Sequence, residues 1–202
     1  MTDNRQYEHD LRALLRATDW FMRALCVVRE CNPPDWLVGG GVIRTLVWDW
    51  LHDDSTPTPL NDIDVAYFDP TNLQSNRDLE IERTLYHLMP KMPWQARNQA
   101  AVHLWYERKF GFPVESLASS EDGVGTWPET ATSVAVRLLD DDDEFLIVAP
   151  CGLNDLFELV CRRNPRRVTE QIFEQRLADK QIVKKWPKVR VVHEHPKEGS
   201  SC

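Results

Sequence analysis

Two carboxylates spaced by one residue, Asp62 and Asp64, stand at the head of an apolar run. DIDVAYF reads as a strand over 62–68, and strand alternation puts both aspartates on one face, with Ala66 and Phe68, and Ile63 on the other. Aspartate is disfavoured in strands, while the apolar continuation marks a central, well-covered one. With Cβ atoms roughly 6–7 Å apart, the two charges repel by about 2.5 kcal/mol at an effective dielectric near 20. A divalent cation reverses the sign of that interaction. Two carboxylates, with water and phosphate supplying the remaining oxygens, are a donor set that Mg²⁺ (or Mn²⁺) accepts. The competing reading makes Asp62 a turn residue after Asn61 and pairs Asp64 with a basic neighbour such as Arg44. Some twenty residues upstream lies a second feature. WLV 36–38 is a short strand, glycines 39–41 follow, and 42–51 repeats its apolar residues at helical spacing. Glycines there permit a tight turn and let a phosphate approach backbone N–H groups at a helix N-terminus. Together the two features form a phosphate site beside a metal site.

The elements that must position these residues alternate in type. Residues 5–30 carry apolar positions at three- and four-residue steps and read as one long amphipathic helix, closed by Pro33 and Pro34. After a proline-rich loop and the acidic strand, 75–89 reads as a helix, 94–98 as a strand and 99–108 as a helix. The segments 132–139 and 144–150 form an antiparallel hairpin whose four aspartates, 140–143, make a solvated tip. Helices follow at 152–162 and 165–183. Residues 193–202 read as a disordered tail. The expectation is an α/β fold: a single domain over 1–192 with helical extensions at both ends.

Length and charge exclude several alternatives. A chain of 202 residues suits one well-cored domain. Its 24 Lys and Arg against 32 Asp and Glu give a net charge of −8, and no basic stretch offers a surface for long nucleic acid. No apolar run is long enough to span a membrane and the N-terminus lacks signal-peptide order, so a cytoplasmic protein with no membrane partner is expected. The five cysteines fall at no zinc spacing and read as reduced thiols.

The segments LVGGGVIRTLVWDWL 37–51 and NDIDVAYFD 61–69 resemble the signature of nucleotidyltransferases of the DNA polymerase β superfamily. Gly40-Gly41-Val42-Ile43-Arg44 followed by Asp62-Ile63-Asp64-Val65 is similar to the head of CCA-adding and bacterial poly(A) polymerases, with Thr45 in place of their aspartate. RNQAAVHLWY 97–106, TWPETAT 126–132 and LIVAPCGLNDLFEL 146–159 extend the likeness to a bacterial family of stand-alone nucleotidyltransferase-like proteins, over roughly 35–190. The resemblance implies a polymerase β-like fold, a small mixed sheet with flanking helices. It implies that Asp62 and Asp64 are catalytic metal ligands and that Gly40 and Gly41 shape a turn for the triphosphate. Arg44 either touches phosphate or partners an acid. The implied reaction moves a nucleoside monophosphate from a nucleoside triphosphate to an unknown hydroxyl acceptor and releases pyrophosphate. The superfamily's third carboxylate has no evident counterpart: Gln95 and Asn98 stand where a strand acid is expected, and Glu144 and Asp155 are the alternatives. The other reading is a catalytically degenerate nucleotide-binding or interaction module.

The remaining candidates point elsewhere. No HExxH or Walker motif occurs. His103 reads as a packed or surface residue. Trp48, Trp50, Trp94, Trp105 and Trp127 serve the core or stack a base. Arg97, Arg108 and Arg137 are candidates for triphosphate, while Arg162, Arg163, Arg166 and Arg167 read as a solvated cluster.

Overall fold

The computed structural model describes residues 4–53, 56–139 and 144–193. In chain order these form α1 (Asn4–Ala17), α2 (Asp19–Cys31), β1 (Leu37–Gly39), α3 (Gly41–His52), β2 (Ile63–Tyr67), α4 (Ser75–Leu88), β3 (Trp94–Asn98) and α5 (Val102–Phe110). There follow α6 (Ser120–Val124), β4 (Ala135–Leu138), β5 (Phe145–Val148), α7 (Asn154–Phe157), β6 (Val160–Arg162), α8 (Glu170–Lys180), α9 (Ile182–Lys185) and β7 (Arg190–Val192). Five strands make a mixed sheet in the order β3-β2-β1-β4-β5, parallel only between β2 and β3. The expected α/β architecture, a small mixed sheet with flanking helices, is the one found.

β2 is interior, as its apolar run demands, with Ile63, Val65 and Tyr67 fully buried. Their face meets α1–α4, whose Leu15, Phe21, Leu25, Val47 and Leu85 complete the main core. The hairpin of β4 and β5 pairs antiparallel as expected. The aspartate tip at 140–143 lies outside the described residues, as does the expected 193–202 tail except His193, whose Nδ1 lies 2.9 Å from Glu174.

Three helix expectations fail for local reasons. The helix expected over 5–30 is two helices, broken at Thr18. Its hydroxyl donates to the Leu14 carbonyl at 2.8 Å, a local bond that competes with helix propagation, and α2 restarts at Asp19. The step of six from Leu15 to Phe21 would also put the two buried stripes out of phase on one helix. The helix expected over 152–162 shrinks to the single turn α7, because Leu159 is left-handed (φ 55°) and 160–162 instead pairs in parallel with β7. Likewise 165–183 is a loop followed by α8, capped by Thr169, whose side chain accepts from the Ile172 N–H.

Cys26, Cys31 and Cys161 are free thiols. Cys151 is disulfide-bonded, so the expectation of reduced thiols fails at that position. No helix among the described residues is long and apolar enough to cross a membrane.

Candidate active site

The face of the sheet opposite the main core opens into a cleft of about 730 Å³, within the usual range for small-ligand sites. At its head β1 runs into α3 through three glycines with different duties. Gly39 pairs with Ala135, and a Cβ there would stand 2.2 Å from the Val134 carbonyl oxygen, so only glycine lets the strands approach. Gly40 has φ +70° and lies under the Trp127 ring, which a Cβ would meet at 3.1 Å. Gly40→Ala is therefore expected to cost about 1–3 kcal/mol through backbone strain, seen as a lowered denaturation midpoint. The displaced indole should also alter tryptophan fluorescence.

Both aspartates face this turn. A Cβ on Gly40 would lie 3.6 Å from Asp64 Oδ2, and one on Gly41 would lie 3.7 Å from Asp62 Oδ1. Burial and the neighbouring Asp62 push the Asp64 carboxyl up to about 6, against the pull of Lys180, Arg97 and Arg176. Two hard oxygen donors in a space too short of positive charge to keep Asp64 fully acidic fit a divalent cation. Asp62 meets Lys180 Nζ, from the end of α8, at 3.6 Å.

Parallel pairing with β3 decides what stands beside Asp64. The register aligns Asp64 with Gln95 and Ala66 with Arg97, so both β3 side chains share the carboxylate face. With its amide turned to satisfy both neighbours, Gln95 donates to Asp64 Oδ1 and accepts from Arg97, each at 3.2 Å. An amide thus occupies the position next to the aspartate pair. The register is held from α4: Glu82 Oε1 accepts from the Ala96 N–H and Asp78 Oδ1 from the Asn98 N–H, both at 3.0 Å.

Arg44 is 8% exposed and does not pair with Asp64. Its guanidinium carbon lies 5.1 Å from the Trp48 ring and 4.5 Å from the Trp186 ring, and its Nε has no hydrogen-bond partner among the described residues. Burial lowers its pKa, while the field of Glu129 opposes the shift. A Cβ on Gly41 would come within 3.9 Å of its Nη2, so the cation lies beside the first turn of α3. Trp186 Nε1 in turn donates to Asp49 at 2.7 Å, fixing the C-terminal segment against α3.

Neither alternative third acid reaches the cleft lining. Glu144 meets Arg16 at 3.0 Å and Arg12 at 3.4 Å, tying β5 to α1. Asp155 holds Arg162 at 2.9 Å and accepts from Thr130 at 2.6 Å. Besides the aspartate pair, two acids that the sequence does not single out line the cleft, Glu129 and Asp179. Glu129, 5% exposed, accepts from Arg176 Nε at 2.8 Å and from the Thr132 hydroxyl at 2.9 Å. Burial opposes its charge, but Arg176, with help from Arg44, holds its carboxyl below the usual glutamate value. Among the described residues no three His, Cys, Asp or Glu side chains group as metal ligands.

Helix α8 forms the wall facing the aspartates, presenting Gln171, Gln175, Arg176 and Lys180. That polar stripe repeats at i, i+4, i+5 and i+9, a helical face that in sequence looks the same as a solvated one. Of the five candidate tryptophans, Trp105 and Trp127 line the cleft, while Trp48 and Trp94 are buried and Trp50 is exposed; Trp186, not among the candidates, also lines it. Among the arginines, Arg137 pairs with Asp35 and Arg166 with Asp122, but Arg167, expected to be solvated, is 9% exposed and lines the cleft.

Comparison with known proteins points in one direction. A family model described as nucleotidyltransferase matches residues 26–191. A structure solved by NMR, described as revealing a CCA-adding enzyme head domain, superposes with a TM-score of 0.77 at 26% identity, over 92% of this chain and 96% of that one. A CCA-adding enzyme in complex with CTP (TM-score 0.50, 15% identity, 91% of this chain and 43% of that one) shares the fold. So does the Thermotoga maritima CCA-adding enzyme complexed with tRNA (TM-score 0.50, 16% identity, 85% and 38%). The chain spans less than half the length of these two enzymes. No curated protein matches it.

Proposed function

The chain belongs to the nucleotidyltransferase family matched over residues 26–191, and on that premise we propose that it moves a nucleoside monophosphate from a nucleoside triphosphate to a hydroxyl acceptor. Asp62 and Asp64 hold Mg²⁺ or Mn²⁺ in this reading, and Gly40, Gly41 and Arg44 receive the triphosphate. The observation that carries it is the convergence of both carboxylates on the Gly40–Gly41 turn at the head of one cleft. The CTP bound by one neighbour of the same fold supports a nucleoside triphosphate as donor. A cytoplasmic setting, where such donors are plentiful, is part of the proposal.

A divalent ion bound there supplies charge neutralisation for the phosphates and for the oxygens that attack and leave. The chain's own groups do the rest. The N-terminal turn of α3, with its partial positive charge, and Arg44 orient the phosphates beside the aspartates. Lys180, at 3.6 Å from Asp62, adds a positive charge on the opposite wall. The acceptor hydroxyl oxygen bonds to the α-phosphorus. The bond from that phosphorus to the bridging oxygen breaks, its electron pair departs with pyrophosphate, and the hydroxyl proton passes to solvent.

Calorimetry with ATP, with and without Mg²⁺, tests the assignment. Wild type is expected to bind ATP in a magnesium-dependent way and Asp62→Ala/Asp64→Ala to lose that dependence; equal binding in all four cases would sink it. Gln95 beside Asp64 favours a second reading, nucleotide binding without transfer. That reading expects magnesium-dependent binding but no pyrophosphate release with any acceptor fraction.

A further inference from the structure

The cleft continues past the carboxylates. Arg97 lies about 7 Å further along β3 than Gln95, and beyond it the chain enters α5, whose Trp105, Tyr106 and Lys109 line the far end together with Arg167 from the loop before α8. Two cations at this end are short of partners. Arg167 is buried, its Nη2 donates to the Glu115 carbonyl, and its Nη1 has no hydrogen-bond partner among the described residues. It is fixed in place: its guanidinium carbon lies 5.8 Å from the Tyr106 ring, and the Tyr106 hydroxyl donates to the Arg167 carbonyl at 2.8 Å. Lys109 makes no ion pair among the described residues, and its Nζ sits 5.6 Å from the Trp105 ring and 5.3 Å from that of Phe110. The acids that line the cleft, Asp62, Asp64, Glu129 and Asp179, come from other elements. Burial weighs against the Arg167 charge and Arg166 adds to the deficit, while Asp122 is engaged with Arg166.

We propose that this far end is the acceptor subsite, and that it takes a small hydroxyl compound carrying a phosphate or carboxylate on a flat, partly apolar body. The inference rests on the nucleotidyl-transfer reading and names the substrate class of the same site. An oriented, partly unsatisfied guanidinium suits the two oxygens of such a group, and the Trp105 and Tyr106 rings suit the body. The donor must share the cleft's 730 Å³, which leaves room for a small acceptor. The net charge of −8 works against a long polyanion.

The probes are phenyl phosphate and benzoate, with benzyl alcohol as the uncharged control, titrated by ligand-observed NMR into protein saturated with Mg²⁺ and a non-hydrolysable ATP analogue. One or both anions should bind alongside the nucleotide, and the tighter of them identifies the anionic group. Arg167→Gln and Lys109→Met should each weaken that binding by about tenfold or more, while the analogue, bound at the other end, reports that the fold is intact. Lys109 is exposed, so its variant tests the site even where Arg167→Gln fails to fold. Displacement of the analogue by phenyl phosphate, equal binding of benzyl alcohol, or indifference to Lys109→Met would each overturn the proposal. So would a short RNA that outcompetes phenyl phosphate through the same two residues. If the analogue itself does not bind, the nucleotidyl-transfer reading fails, and the aromatic anions still report on this end by themselves.

Discussion

Asp64→Asn is expected to make the ligand-free protein more stable and to slow the proposed nucleotidyl transfer severely. The Asp64 carboxyl, raised from 3.8 to about 6, binds its proton more tightly folded than unfolded. Between these values the folded state carries the extra proton, so wild-type stability falls as pH rises from about 4 to about 6 and stays reduced above that. A shift of about two units corresponds to about 3 kcal/mol, an upper figure given the nearby cations. The variant should therefore match wild type near pH 4 and exceed it by up to that amount at pH 7–8, as read in urea melts across the range. If Asp64 is the metal ligand proposed above, pyrophosphate release should fall on the order of a thousandfold, the several kcal/mol that such a ligand contributes at about 1.4 kcal/mol per tenfold. A variant no more stable than wild type at pH 8 would mean that Asp64 is not strained in the folded protein.

The opposite balance holds across the cleft. Arg176→Met leaves the Glu129 carboxylate buried without its cation, and such one-sided removals cost about 3–5 kcal/mol. Glu129 is held below its ordinary value, so its stabilising contribution is present above the unfolded pKa and disappears as pH falls through the lower folded one. Deprived of Arg176, the carboxyl should rise instead, and the deficit should shrink toward pH 5, where protonation relieves the buried charge. Arg176→Met/Glu129→Gln should recover most of the loss, and the double-mutant cycle would give a coupling energy of about 2–3 kcal/mol. Additive single-mutant effects would show that the two side chains act independently.

Legibility in the sequence followed distance along the chain. The glycine turn and the Asp62–Asp64 pair were readable because a strand period of two and a short turn are local properties. Gln95 was visible as the residue in a strand acid's place, yet its adjacency to Asp64 depends on a parallel register that α4 enforces from the side. Glu129 lies in an irregular segment, and its role exists only because Arg176 arrives from 47 residues away. The same holds for β6, whose partner β7 is contributed by the end of the described chain. Arg167 was misjudged because three neighbouring arginines made it look like part of a solvated group. The helix break at Thr18 was legible in principle, since the apolar spacing jumps by six there.

The hydrogen bonds from α4 to β3 also close the molecule to unwanted company. The outward N–H groups of Ala96 and Asn98, which an incoming strand would seek, are already taken by Glu82 and Asp78. At the opposite border Arg12 of α1 donates to the Phe145 carbonyl at 2.8 Å. Bare sheet borders template the addition of foreign strands. Here charged side chains finish both margins, so the sheet that carries the aspartates ends within the molecule.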